Sequence, residues 1–151
     1  MKVCAHNGLT IAVLTRNEHC PPHVHTGTGK WGARFVFSFW RDQVHLWDVT
    51  PVQNRPSARQ LEGLRQTLLQ PANLRRAREI WWNSAQSVCL VNQHWDSGAG
   101  EVVADAGPQT KVIKAASFNA RANKTVLLFG RQSSPVQLRC EQLRLFSQAG
   151  Y

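Results

Sequence analysis

The spacing of apolar residues changes at Ser57, and this change constrains the fold more than any other feature of the sequence. Before Ser57, apolar and polar residues alternate with the period of two that is typical of β-strands, most clearly over residues 31–40. After Ser57, leucines recur at helical spacing over residues 61–68. Because strands precede helices instead of alternating with them, the sequence predicts an α+β fold, in which a small antiparallel sheet is covered by two helices.

The local signals place the individual elements. Asn7-Gly8 supplies the positive φ of a tight turn and predicts a hairpin, and with the later period-two segments this makes four antiparallel strands. Ser57 and Gln60 form a capping box for the first helix. Pro71 ends that helix and can start the second. The predicted strand segments are residues 3–6, 9–15, 31–39 and 44–49, and residues 23–26 can also be extended.

The composition shifts after the helices. Residues 96–109 are rich in Gly, Ala, Asp and Pro, which is typical of a loop or linker. We therefore predict an α+β domain over residues 1–95, a linker over 96–109 and a β-rich C-terminal extension over 110–151. The extension is small for an independent core, so we expect it to pack on the first domain or on a partner chain.

The charge balance favours an anionic partner. The chain has 18 Lys and Arg against 9 Asp and Glu, a formal net charge of +9, and such an excess attracts polyanions at long range. Nucleic acid or an acidic protein is the expected partner. No apolar stretch reaches the ~18 residues that a membrane span needs, so no membrane partner is expected.

The spacing of the cysteines indicates the cellular compartment of the protein. Cys4, Cys20, Cys89 and Cys140 are widely spaced and include no C-x-x-C pair. We predict reduced thiols and a cytoplasmic location.

The segment 17–25, Asn-Glu-His-Cys-Pro-Pro-His-Val-His, concentrates the reactive side chains. His23 and His25 point to one face if they lie on a strand, and His19 and Cys20 can close in from the loop. Three interpretations stay open. The imidazoles can be structural groups bonded to backbone, general acid–base catalysts on a phosphodiester, or ligands of a divalent metal. The metal set would be His19, Cys20, His23 and His25, or Glu18 would supply the fourth ligand.

The same residues resemble a known family. The E-H-x-P-P-H-V-H signature over residues 18–25, the Ser57-Ala58-Arg59-Gln60-Leu61 helix start and the Trp81-Trp82-Asn83 segment are similar to the bacterial domain-of-unknown-function family 4160. The resemblance covers residues 6–83. It implies a small protein of the toxin–antitoxin or defence type and no assigned reaction. Cys20 stands where a third proline is common in that family, which raises the chance of thiol ligation.

A second candidate site is the basic surface of the two helices. Arginine beside an exposed aromatic ring suits phosphate contact and base stacking. The alternative is a solvated helix face in which Arg75 pairs with Glu79. The predicted nucleic-acid contacts are Arg34, Arg59, Arg65, Arg75, Arg76, Arg78 and Trp82.

These features lead to two functional hypotheses. The first is a nucleic-acid-interacting protein, with a metal-independent ribonuclease as its enzymatic form and His23, His25 and His19 as its catalytic residues. The second is a non-enzymatic module that binds an acidic protein. The sequence has no glycine-rich phosphate loop, no G-x-S-x-G and no H-E-x-x-H, so no nucleotide cofactor is indicated, and a divalent metal is the one cofactor left open.

Overall fold

The computed structural model describes residues 1–130 and 133–139. The first part of the chain forms a five-stranded antiparallel sheet in which each strand pairs with the next strand of the sequence. The strands are β1 (Lys2–His6), β2 (Leu9–Ala12), β3 (His23–Gly27), β4 (Gly32–Phe37) and β5 (Val44–Thr50).

Two helices follow, after a short 3-10 turn at Val52–Asn54. Helix α1 spans Ala58–Leu69 and helix α2 spans Pro71–Ala85. The Ser57 hydroxyl accepts a hydrogen bond from the backbone N–H of Gln60 at 3.1 Å, which is the predicted cap. The apolar faces of both helices are buried, through Leu64 and Leu68 in α1 and Leu74 and Trp81 in α2. The predicted α+β fold is confirmed.

The rest of the chain forms two small antiparallel sheets. In the first, β6 (His94–Asp96) lies between β7 (Glu101–Val103) and β8 (Thr110–Val112). In the second, β10 (Lys124–Leu128) lies between β9 (Ala115–Asn119) and β11 (Val136–Arg139). The structure therefore differs from the expected linker, because β7 lies inside it. A strand of three residues is too short to show an alternating pattern. The predicted β-rich extension over 110–151 lies partly outside the described residues, since residues 131, 132 and 140–151 are not among them.

The C-terminal sheets share one hydrophobic core with the first part. The rings of Phe39 and Phe118 meet edge to face with their centroids 5.1 Å apart. The hydroxyl of Thr125 donates to the carbonyl of Phe39 at 2.5 Å. The guanidinium of Arg75 donates to the carbonyls of Ala120 and Arg121 at 2.9 and 2.8 Å. The extension thus packs on the β4–β5 loop and on α2. Within the described residues, no helix is long and apolar enough to cross a bilayer.

Arg78 links α2 to the loop between β4 and β5 from inside the protein. Its side chain is about 2% exposed, and its guanidinium donates to the carbonyls of Ser38 and Arg41 at 2.8 and 2.9 Å. The same group lies 3.1 Å from the carboxylate of Asp42, which is 6% exposed. Because Asp42 is a buried charge, loss of the arginine leaves it without its counter-charge.

Replacement of Arg78 by methionine should therefore destabilise the protein strongly. We expect Arg78→Met to lower the free energy of unfolding by about 3–5 kcal/mol, the usual cost of breaking a buried ion pair. Urea unfolding followed by circular dichroism measures this. Arg76→Met is the matched control, since Arg76 is exposed on the same helix. Equal losses in the two variants would contradict the structural role of Arg78.

Candidate functional site

The candidate site lies on one face of the three neighbouring strands β3, β4 and β5. Val24 of β3 and Phe35 of β4 are paired and buried. Their neighbours His25 and Arg34 are also paired, and because side chains alternate along a strand they lie on the opposite face. On β5, Asp48 pairs with Arg34 and extends the same row.

A β-bulge adds a tryptophan to this face. Arg34 pairs with Asp48 and Phe35 pairs with Leu46, so Trp47 is the extra residue of β5. A bulge changes the direction of a side chain and breaks the alternation along its strand. The indole of Trp47 is 38% exposed, and the Arg34 guanidinium stacks 4.1 Å from its centre.

The Glu18 carboxylate contacts both histidines of β3. Glu18 lies in the loop before β3 and its side chain is 10% exposed. Its Oε2 is 2.6 Å from Nε2 of His23, and its Oε1 is 3.4 Å from Nε2 of His25. We call Glu18, His23 and His25 the Glu-His-His cluster. The His23 side chain is 2% exposed and that of His25 is 31% exposed, so only His25 reaches the surface.

A backbone carbonyl orients the His23 ring. Nδ1 of His23 lies 2.8 Å from the carbonyl oxygen of Pro21, which can only accept, so Nδ1 carries the proton and donates it. Burial lowers the pKa of His23 below its usual value, against the opposing effects of the Pro21 hydrogen bond and the Glu18 charge. A neutral ring with its proton on Nδ1 directs the lone pair of Nε2 towards Glu18.

The polar atoms inside the cluster are incompletely satisfied. Glu18 Oε2 and His25 Nε2 are both fully buried, and neither has a hydrogen bond of acceptable geometry within the described residues. The 2.6 Å contact between Glu18 Oε2 and His23 Nε2 is therefore a close approach of the carboxylate and the ring without a directed hydrogen bond. Burial of a polar atom without a hydrogen bond is costly, so these two atoms mark a candidate ligand-binding position.

Arg34 and Asp48 form the outer part of the site. Nε of Arg34 donates to Asp48 Oδ1 at 2.9 Å, and a second nitrogen pairs with the other oxygen. This pairing holds the pKa of the Asp48 carboxyl below its ordinary value, chiefly through the hydrogen bond from Arg34. A cleft of about 330 Å³ opens beside the pair, lined by His25, Thr26, Gly32, Ala33, Arg34, Asp48 and Thr50.

A disulfide between Cys20 and Cys89 holds the loop that carries Glu18. It joins this loop to the segment after α2, across 69 residues of sequence. The prediction of reduced thiols is wrong for these two cysteines. They are far apart in the sequence and become neighbours only in the folded chain, which the sequence spacing could not show. With its sulfur bonded to Cys89, Cys20 offers no thiolate to a metal. Cys4 is a free cysteine.

His19 is the least constrained of the predicted catalytic residues. It is exposed, and its ring meets His23 at 5.8 Å and Trp47 at 6.2 Å between centroids. Its Nδ1 is 3.2 Å from the carbonyl oxygen of Cys20. His19 therefore lies beside the cluster and outside its group of ligand atoms.

The predicted basic surface of the helices is largely occupied by contacts within the protein. Arg65 pairs with Glu62 at 2.7 Å, and this contact lowers the pKa of Glu62 to about 2. Arg76 donates to the carbonyl of Lys2 at 3.1 Å. Arg75 and Arg78 hold the C-terminal extension and the β4–β5 loop, as described above. Trp82 is half-buried against the core, and Arg59 is exposed on the first turn of α1.

Two residues of the site have roles that the sequence pattern does not show. Glu18 enters the predicted metal set only as an alternative fourth ligand, although it contacts both histidines. Trp47 is not among the predicted site residues, because the period-two pattern carries no sign of the bulge. A carboxylate five residues before the first histidine of His-x-His is the one local signal that could have indicated this cluster.

Comparisons with known proteins add no relative: no family model, no curated protein and no solved structure matches this chain. The resemblance to the domain-of-unknown-function family 4160 stays a prediction.

Removal of the disulfide should destabilise the protein. We expect Cys20→Ser/Cys89→Ser to lower the free energy of unfolding by about 2–5 kcal/mol, because the crosslink restricts the unfolded chain. Urea unfolding measures the loss, and peptide mass spectrometry without reductant identifies the bond. Cys4→Ser is the control, with an expected change of about 1 kcal/mol or less. A double variant as stable as the wild type would refute the linkage.

Proposed function

We propose that this protein binds single-stranded nucleic acid on the face that carries Trp47 and acts on a phosphodiester at the adjoining cleft. The observation that supports this most is the exposed indole of Trp47 stacked on Arg34. Aromatic rings beside arginine are the usual means of holding unpaired bases, since every base has a face that can stack. The net charge of +9 favours the approach of a polyanion.

The chemistry of the proposal centres on His25. His23 is too deeply buried to meet a substrate, so the two histidines do not act as an equivalent acid and base pair. His25 lines the cleft, and Glu18 lies beside its Nε2. A carboxylate behind an imidazole fixes the ring and stabilises its charged form, which is the arrangement that general acid–base catalysis uses. His25 is then the residue that exchanges a proton at the phosphodiester.

The disulfide indicates the cellular compartment in which the proposed function takes place. Disulfides persist mainly in oxidising surroundings and are rare in the reducing cytoplasm. The Cys20–Cys89 bond therefore supports an oxidising location over the cytoplasmic one expected from cysteine spacing. The toxin–antitoxin or defence role implied by the family resemblance stays a prediction.

Replacement of Trp47 should weaken the binding of nucleic acid. We expect Trp47→Ala to raise the Kd for a labelled single-stranded RNA by about 5- to 150-fold, equivalent to about 1–3 kcal/mol for one stacked base. Fluorescence anisotropy across a salt series measures this, and the wild-type affinity should fall steeply with salt.

The control is Val91→Ala, which removes another exposed apolar side chain, 48% accessible, from outside the sheet. Its Kd should equal that of the wild type. Absence of wild-type binding to RNA and DNA even at low salt would refute the proposal and favour an acidic protein as the partner.

The catalytic part has a separate test. In chelator-treated protein, we expect His25→Ala to abolish cleavage of a single-stranded RNA, because the group that exchanges the proton is lost, while the Kd changes by about twofold or less. Gel analysis of the cleavage products measures the rate. His45→Ala is the matched control, since His45 is exposed on β5. Equal cleavage by His25→Ala and His45→Ala would contradict the role of His25.

A further inference from the structure

We propose that the Glu-His-His cluster binds a divalent transition-metal ion, with its remaining coordination positions open to the cleft. One ligand atom from each of Glu18, His23 and His25 lies within 4.8 Å of the other two. Bonds from Zn²⁺ to imidazole nitrogen or carboxylate oxygen are about 2.0–2.2 Å long. The three atoms therefore need only a small movement to surround one ion.

The orientation of His23 suits a metal ligand. A ligating histidine donates its second ring N–H to a carbonyl or carboxylate, which fixes the tautomer and aims the other nitrogen at the metal. His23 has this arrangement, because its Nδ1 donates to Pro21 at 2.8 Å and its Nε2 faces Glu18.

The unsatisfied atoms of the cluster also indicate a cation. Glu18 Oε2 and His25 Nε2 are buried without hydrogen-bond partners in the described part of the chain. Lone pairs that converge on one point repel each other unless a positive charge lies between them. A divalent ion would satisfy both atoms, as well as the lone pair of His23, at once.

The donor set defines the class of metal. Two imidazoles and one carboxylate suit Zn²⁺ and also the other first-row divalent ions such as Fe²⁺ and Co²⁺. Three protein ligands leave at least one position for water or substrate, as in catalytic sites and unlike closed structural sites. This set differs from the one expected from sequence, because Cys20 is in a disulfide and His19 lies outside the group.

A bound ion would also change the charge of the site, and this consequence rests on the proposed function. Without an ion, the carboxylates of Glu18 and Asp48 outnumber the single guanidinium of Arg34, which disfavours a phosphate. A divalent ion reverses the sign at the cleft. It would also bind a water molecule and lower the pKa of that water. His25 would then be a ligand, and the metal-bound water would replace it as the group that exchanges the proton.

The test is isothermal titration of the metal-free wild-type protein with Zn²⁺. We expect one ion to bind per chain, and Glu18→Gln and His25→Ala to weaken binding at least tenfold. Glu18→Gln preserves the size of the side chain, and His25 is partly exposed, so one of the two variants should stay folded. Circular dichroism checks the fold. His45→Ala is the control for binding by a surface histidine, and its affinity should match the wild type.

Titration with Co²⁺ reports the coordination directly, since its visible absorption depends on the ligands and their geometry. We expect the absorption of bound Co²⁺ to appear with the wild type and with His45→Ala and to be lost with Glu18→Gln. Absence of Zn²⁺ binding by the wild type would overturn the metal proposal. Equal binding by all the variants would overturn it too, because the ion would then lie elsewhere.

The charge consequence is tested separately from the metal site. RNA binding is compared in protein loaded with Zn²⁺ and in protein treated with a chelator, and we expect the loaded protein to bind more tightly. If Zn²⁺ binds but leaves the RNA affinity unchanged, the proposed charge effect is wrong and the metal proposal stands. If Zn²⁺ binds but the protein binds no RNA at all, the proposed function is wrong and the metal proposal stands.

Discussion

The register of β3, β4 and β5 is the constraint on which the site depends. It places His25, Arg34 and Asp48 in one row, because paired residues of neighbouring strands share a face. A shift of one residue would exchange this row with the buried one. The register is fixed because a shift would expose the apolar side chains of Val24 and Phe35 to water and bury the polar row in the core. The bulge at Trp47 interrupts the alternation at one point only, and there it adds an aromatic ring to the polar face.

The Glu-His-His cluster also depends on contacts from outside the sheet. Strand β3 places His23 and His25 on one face, and Glu18 approaches both from a loop that the disulfide ties to the segment after α2. The ring of His23 also packs 5.4 Å from that of Trp81 on α2. The helices therefore position the site as well as cover the core. A carboxylate held at 10% exposure beside two imidazoles is costly to bury, and a metal ion between them would offset that cost.

The sequence was sufficient for the elements and insufficient for the contacts between them. The period-two strands, the Ser57 cap and the Pro71 start are local patterns, and each corresponds to an observed element. The His23-x-His25 pair was also foreseeable, since alternate residues of a strand share a face. The Cys20–Cys89 bond, the bulge at Trp47 and the use of Arg78 inside the protein depend on residues distant in the sequence. The periodicity of a sequence does not show which distant residues meet in the fold. The same arginine pattern on a helix is compatible with a solvated face, a phosphate-binding face or a structural role inside the protein.

The central claim is that the fold holds His23 with its proton on Nδ1 and its Nε2 directed at Glu18. Long-range ¹H–¹⁵N NMR of the histidine side chains tests it most directly, because the two ring nitrogens have distinct shifts when one is protonated. In metal-free protein at neutral pH, Nδ1 of His23 should carry the proton donated to Pro21, and Zn²⁺ should shift the signal of Nε2. A His23 ring with a bare Nδ1 and its proton on Nε2 would contradict the account, because no lone pair would then face the cluster.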